Sequence, residues 1–289
     1  MALVEQTFSW MTWHFHPDVT LGVLALEGLY LLGVGLLRRR YRWAPETPRR
    51  QVVLFTLGVL VMYASLTGPI HELADNYLFS AHMVQHLLIS LVVPPLLLAG
   101  LPGGLVRPLV RLPLVYRTAR VLIHPVPAFA LFSGVLALWH LPALYEWALR
   151  VHGAHVFQHL LLMATAVLMW WPLLSPVPEL PRASYPVQMV YLFLLSLAPG
   201  FVGAAITFSS RVLYPFYQEA PRLWGIAPLV DQQIGGLIMK LVGGFAFLGI
   251  LAVVFLRWYS REEGGKGEHV VHRNGHQSGS PAATRLFKR

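Results

Sequence analysis

The sequence contains no cysteine and few charged side chains. The absence of cysteine excludes disulfide bonds, iron–sulfur clusters, thiolate metal sites and cysteine nucleophiles, so a metal ion must be held by histidine, methionine or carboxylate side chains. Charged residues make up 12% of the chain and hydrophobic residues 56%, whereas a soluble domain carries about 25% charged residues. This composition excludes a surface that faces water throughout. In a membrane protein, basic residues mostly mark the cytoplasmic loops, so the formal charge of +9 does not indicate a nucleic-acid partner.

Several apolar runs of roughly 18–25 residues are long enough to cross the hydrocarbon core of a lipid bilayer. They are too long and too uniformly apolar for the strands of a membrane β-barrel. We therefore predict an all-α, polytopic membrane helix bundle of about seven transmembrane helices. The predicted spans are residues 19–37, 51–67, 79–99, 126–140, 154–174, 186–208 and 231–255. Pro94 and Pro95 should bend or break the third span.

Arginine and lysine residues are concentrated in alternate loops. Six arginines follow the first span, four follow the third, and basic residues begin the tail after the seventh, while the opposite loops are poorer in them. The positive-inside rule then places the N-terminus outside and the C-terminus inside. Residues 1–18 form an outer segment without a cleavable signal peptide, residues 19–258 the seven-helix transmembrane domain, and residues 259–289 a cytoplasmic tail, predicted to be disordered.

Thirteen histidines are unusual in so apolar a chain. On the predicted topology, only His124 and the three histidines of the tail lie inside. The tail histidines are more typical of a solvated segment than of a metal site. The outer histidines are His14, His16, His71, His82, His86, His140, His152, His155 and His159. A random scatter would not usually separate the two sides in this way.

The motif His-x-x-Gln-His occurs twice, and each copy begins a predicted span. His82 and His86 begin the third span, and His155 and His159 begin the fifth. Residues four apart share one helix face, about 6 Å apart, so both imidazoles of a pair can reach one cation. A single such histidine is more simply read as bonded to a backbone carbonyl. Two pairs at matched depth favour a metal site or a haem site, because a histidine buried in lipid needs a partner.

Other residues extend this candidate site. His140 ends the fourth span at a similar level, and His71 stands in the short outer loop before the third. Met163 continues the face of the fifth span and offers a thioether, a ligand that favours Cu(I). Asp231 is predicted either to cap the seventh span or to orient a metal-bound imidazole. His14 and His16 are equally consistent with an aromatic anchor at the membrane interface.

Glu27 and Lys240 are ionisable residues within predicted spans, where such residues are rare. Each lies about nine residues from the outer end of its span, and both spans run inward. We therefore predict a structural ion pair between Glu27 and Lys240. Four glycines of the seventh span, at positions 235, 236, 243 and 244, predict close packing against another helix.

Taken together, these motifs resemble the CtaG family of bacterial cytochrome c oxidase assembly proteins, the multispan family associated with caa-type oxidases. The resemblance covers residues 10–258. The motifs that carry it are residues 80–88, Pro94-Pro95, residues 138–142, His155-x-x-Gln158-His159, residues 170–173, Thr207-Phe208 and residues 231–233. It implies a multi-pass protein of the bacterial plasma membrane that is not an enzyme. It also implies that the protein supplies copper to the CuB centre of its partner, the haem–copper subunit of the oxidase.

The resemblance carries over to individual residues. His82, His86, His140, His155 and His159 match the histidines of the family motifs, and His71, His14 and His16 match less closely. Lys240 stands where an apolar or aromatic residue is expected. Zinc remains open as an alternative to copper.

Three alternative functions remain open. Histidines on two helices can ligate a haem axially, although paired histidines on each helix suit a compact ion better. A membrane metalloenzyme would need carboxylates beside the histidines, and the outer candidates are few: Glu72, Asp75, Glu146 and Asp231. Glu72 and Asp75 are predicted to lie in a flexible loop. A transporter is the third alternative, but the sequence contains no internal repeat beyond the two histidine motifs.

Overall fold

The computed structural model describes residues 8–11, 13, 15–41 and 46–275, the side chains of residues 264–275 excepted. This part of the chain is helical, without strands. The helices are α1 Pro17–Tyr41, α2 Arg49–Thr67, α3 Pro69–Asn76, α4 Phe79–Gly100, α5 Gly103–Val110, α6 Pro113–Leu122, α7 Pro125–Trp139, α8 Pro142–Arg150, α9 His152–Leu174, α10 Tyr185–Thr207, α11 Pro215–Glu219 and α12, residues 228–275. His14, for which no role was fixed from the sequence, lies outside the described residues.

The predicted membrane bundle is confirmed as an all-α fold. Six helices are long and apolar enough to cross a membrane, and α6 with α7, which meet at 72°, make a seventh span when counted together. The predicted span boundaries agree to within a few residues except in α12. Its helical backbone continues to Gly275, past the predicted end at residue 255. Residues 276–289, the remainder of the predicted disordered tail, lie outside the described part of the chain.

Helix α4 is not broken at its two prolines. Pro94 has no N–H to donate to the carbonyl of Ser90, four residues earlier. That carbonyl accepts instead from the indole of Trp170 on α9, at 2.8 Å. A π-helical segment, Leu88–Val92, precedes the prolines, and the helix then continues to Gly100. Trp170 is therefore a buried core residue, 3% exposed, and not a residue of the membrane interface.

The segment before α4 is a helix, not the flexible loop that the sequence suggested for Glu72 and Asp75. Gly68 separates α2 from α3, and Pro69 occupies the first turn of α3, a position that needs no N–H. Leu73 and Ala74 are buried and hold α3 against the bundle. His71 and Asp75, one helical turn apart, therefore project from a defined helix.

Helices α10 and α12 approach closely at two glycines. A Cβ on Gly203 would lie 2.5 Å from the carbonyl oxygen of Gly236, and a Cβ on Gly236 would lie 2.5 Å from the hydroxyl of Thr207. Contact at this distance is possible only without side chains. The close packing predicted for Gly236 is confirmed.

The predicted ion pair between Glu27 and Lys240 is wrong. Glu27 accepts a hydrogen bond from the hydroxyl of Thr56 on α2, at 2.6 Å. The ammonium of Lys240 lies 5.5 Å from the ring centroid of Phe208 at the end of α10. Helix α1 packs against α2, while α12 packs against α10. Equal depth along two spans did not imply that the spans are neighbours.

Asp231 fixes the start of α4, the helix that carries His82 and His86. Its carboxylate accepts from the backbone N–H groups of Phe79 and Ser80, at 2.7 and 3.2 Å, and from the hydroxyl of Ser80. These N–H groups have no partner within α4 itself, and the positive end of the helix dipole favours a carboxylate there. Asp231 therefore caps another helix, not its own, and it does not contact an imidazole directly.

Replacing Asp231 with alanine should destabilise the bundle, because the buried N–H groups of Phe79 and Ser80 lose a charged acceptor. Hydrogen bonds to charged groups contribute about 1.5–3 kcal/mol each, so the melting temperature in detergent should fall by several degrees. The control is Glu262→Ala, an exposed carboxylate on the same helix. Equal melting temperatures for the two variants would contradict the capping role.

Candidate metal centre

Five imidazoles converge where α4 and α9 begin and α7 ends, a region called here the histidine end. His82, His86, His140, His155 and His159 form this group, called the histidine core, and each is at most 8% exposed. Ring centroids of His82 and His155 are 5.5 Å apart, and those of His86 and His159 are 5.4 Å apart. The two motif copies therefore face each other across the bundle.

Several nitrogen atoms of the histidine core lie close enough together to approach one ion. His82, His155 and His159 each offer a nitrogen within 4.8 Å of the other two. The Nε2 atoms of His82 and His86 are 2.8 Å apart. A tetrahedral ion with metal–nitrogen bonds of about 2.0–2.1 Å places its ligand atoms about 3.3 Å apart. Small adjustments of side-chain angles would bring these nitrogens into coordination.

A hydrogen bond at Nδ1 leaves Nε2 of His140 available to bind a metal. Its Nδ1 lies 2.6 Å from the carbonyl oxygen of Leu136 and donates to it. Nε2 therefore keeps its lone pair, and this atom is buried without a hydrogen-bond partner. Its ring lies 5.9 Å from that of His86.

The remaining rings of the histidine core also carry unpartnered nitrogens. Nε2 of His155 and of His159, and Nδ1 of His82 and of His86, are buried and make no hydrogen bond among the described residues. Leaving a buried polar group unpaired costs about 1–3 kcal/mol. Five such groups in one place are therefore expensive unless a cation satisfies several of them together.

Asp75 is a member of the site whose position the sequence misjudged. Its Oδ2 lies 3.4 Å from Nδ1 of His155 and 3.5 Å from Nε2 of His71. A carboxylate on one ring nitrogen leaves the other nitrogen for a metal and holds the ring in place. The helix start at Gly68-Pro69, with His71 and Asp75 four residues apart, was the signal that could have revealed this role.

His71 lies at the rim of the site, outside the histidine core. Its Nδ1 is 3.0 Å from the amide nitrogen of Gln85, which also donates to the carbonyl of Ser65 at 2.8 Å. Its Nε2 is 3.2 Å from Nε2 of His16. The ring of His71 is 6.3 Å from that of His155. The glutamine of the first motif copy therefore positions a histidine from another helix.

Three buried tyrosines cover the histidine core and were not identified from the sequence. The ring of Tyr145 lies 5.2 Å from that of His82. Tyr214 donates to the backbone carbonyl of His140 at 3.0 Å, and Tyr217 donates to that of Ala74 at 2.8 Å. Burial raises the pKa of Tyr145 and of Tyr217, so both phenols stay neutral. These tyrosines follow no periodic pattern, so no sequence signal linked them to the histidines.

Met163 lies one turn beyond His159 on α9. It is partly buried and packs against the main hydrophobic cluster of the bundle, which includes Leu162 and Ala166. Its predicted role as an auxiliary thioether ligand stays a prediction.

Comparison with known proteins connects this geometry to a family. A family model described as the cytochrome c oxidase caa3 assembly factor matches residues 28–261, a range that includes the whole histidine core. Uncharacterized proteins of Mycobacterium bovis and Mycobacterium tuberculosis are each 26% identical over 262 residues, and one of Mycobacterium leprae is 25% identical over 266. The alignments cover 85% of this chain but only 39% of each relative. No solved structure matches the chain.

The family model extends from the middle of α1 into α12 and includes both histidine motifs and the capping Asp231. The chain belongs to the cytochrome c oxidase caa3 assembly factor family.

Proposed function

We propose that the protein binds copper in the histidine core and delivers it to the CuB centre of the haem–copper subunit of a caa3-type oxidase. The observation that carries this proposal is the set of unpartnered ring nitrogens in a membrane-embedded site. The family supplies the biological context of oxidase assembly. In this role copper is cargo, and the chain catalyses no reaction.

The donor set suits copper. It consists of neutral imidazoles, which bind copper, zinc, iron and nickel. Among divalent ions of the first transition row, copper binds such donors most tightly. The carboxylate of Asp75 faces the back of His155 and not the space between the rings. Zinc is the alternative ion, and metal analysis distinguishes the two.

The arrangement favours a compact ion over haem. The rings of the histidine core lie 4.3 to 5.9 Å apart in the pairs that touch, for example His82 with His86 and His86 with His140. A flat macrocycle would have to separate them. An absorption spectrum of the purified protein tests this, since a strong Soret band would favour haem.

The proposed topology places the histidine end outside the cytoplasm. The arginine-rich loops lie at the opposite end of the helices, which by the positive-inside rule faces the cytoplasm. The protein would then reside in the bacterial plasma membrane, take copper from the outer side and pass it to its partner within the bilayer.

The double variant His82→Ala, His159→Ala should lose tightly bound copper. Each substitution removes one of the three nitrogens that lie within 4.8 Å of one another. Copper per protein is measured by elemental analysis after loading and dialysis against a chelator. The matched control is His124→Ala, an exposed histidine outside the histidine core, which should keep wild-type copper. Equal copper in the double variant and the control would remove the site assignment.

Replacing Asp75 with asparagine should weaken copper binding without abolishing it. Loss of a carboxylate behind a metal-bound histidine typically reduces affinity by about 10- to 100-fold. Competition with a chromogenic copper chelator measures the change. Glu72→Gln, on the same helix, is the control. An unchanged affinity in Asp75→Asn would show that the carboxylate does not orient His155.

In a bacterium that lacks this chain, the double variant should fail to restore the oxidase. The expected defect is specific: the haem–copper subunit is present with its haem, but its copper content and oxygen consumption stay low. Excess copper in the medium should restore activity in part. If the double variant fully restored oxidase activity at low copper, the histidine core would not be required for oxidase assembly.

A further inference from the structure

A second group of side chains that can ligate a metal lies between the surface and the histidine core. It consists of His16, at the start of α1, with His71 and Asp75 of α3, and is called here the rim triad. Nε2 of His16 and Nε2 of His71 are 3.2 Å apart, and Nε2 of His71 is 3.5 Å from Oδ2 of Asp75. Both distances are close to the separation of about 3.3 Å expected between two ligands of one tetrahedral ion.

The rim triad is more accessible than the histidine core. The side chains of His71 and Asp75 are 12% and 25% exposed, whereas His82, in the core, is fully buried. His16 is partly exposed. An ion that approaches from the histidine end therefore meets the rim triad first.

Asp75 and His155 connect the two groups. Oδ2 of Asp75 lies 3.4 Å from Nδ1 of His155, while Nε2 of the same ring is one of the unpartnered nitrogens of the histidine core. The second carboxyl oxygen, Oδ1, is buried and has no hydrogen-bond partner among the described residues. Ligand atoms thus follow one another at steps of 3.2 to 3.5 Å from His16 to His155.

We propose that the rim triad is a transient copper-entry site that captures the ion and passes it through His155 to the histidine core. This inference rests on the proposed function. Two imidazoles and one carboxylate hold Cu(I) less well than an all-nitrogen set, because carboxylates prefer harder ions. The difference in affinity drives the ion inward, and its oxidation state does not change on the way.

The position of His16 supports a role in capture. It immediately precedes α1, where Pro17 begins the helix, and its backbone carbonyl accepts from Thr20 at 2.9 Å. The neighbouring Trp13 stacks on Tyr63 of α2, with ring centroids 6.4 Å apart. These contacts fix His16 at the start of α1 and Trp13 against α2, so that one member of the rim triad comes from a different helix than the other two.

The test compares three full-length proteins in detergent without oxygen: wild type, the rim variant His16→Ala, His71→Ala, and the core variant His82→Ala, His159→Ala. Cu(I) is supplied by a chromogenic chelator, and its absorbance reports the rate and extent of uptake. The rim variant should reach wild-type copper content at a rate at least about 10-fold lower. The core variant should lose the tight copper and keep a weakly held ion. His152→Ala, exposed at the same end, is the matched control.

Each outcome tests either the copper-entry site or the proposed function. A rim variant that loads at the wild-type rate overturns the entry site and leaves the histidine core intact. A rim variant that loses all tight copper shows a single site and also overturns the relay. A core variant with wild-type copper overturns the proposed function, whatever the rim variant does. If the rim variant does not fold, His16→Ala alone, at the edge of α1, repeats the rate measurement.

Discussion

The structure depends on how polar groups are satisfied inside an apolar bundle. Backbone groups that lose a helical partner at a proline or at a helix end form hydrogen bonds with side chains. Trp170 donates to the carbonyl of Ser90, which Pro94 cannot bond, and Asp231 accepts from the N–H of Phe79 at the start of α4. The imidazoles of the histidine core are different, since one nitrogen of each is left unpaired. In a medium that excludes water this contrast is costly. The copper binding that we propose would satisfy several of these nitrogens together.

Hydrogen bonds from other parts of the chain hold the segments that carry the histidines in position. Asp231 anchors the first turn of α4, one turn before His82. Tyr214 holds the backbone of His140 from the opposite side. Gln85, within the first motif copy, reaches across to His71. A histidine pair alone would bring two nitrogens near each other, but these three contacts help to set how the two pairs face one another.

The sequence predicted those parts of the site whose residues follow a regular spacing along the chain. The apolar spans, the paired histidines and their common end of the bundle all follow from apolar runs and from spacing of four residues on a helix. Contacts between helices distant in the sequence could not be predicted in this way. Equal depth suggested a partner for Glu27, but its neighbour is Thr56 on the adjacent helix. Asp75 was assigned to a loop because α3 has only eight residues, too few for a clear pattern. The tyrosines beside the histidines follow no regular spacing in the sequence.

The copper delivery that we propose sets opposing requirements, because the protein would have to capture copper at low concentration and also release it. A single buried cage meets the first requirement and hinders the second, since every ligand would have to dissociate without help from water. Separating capture from storage removes this conflict. In the relay that we propose, the carboxylate-containing rim triad would exchange copper quickly, and the all-imidazole core below it would hold the ion. His155 takes part in both, with Nδ1 toward Asp75 and Nε2 toward the histidine core. A partner that displaced Asp75 from this ring would therefore weaken the hold on copper without entering the bundle.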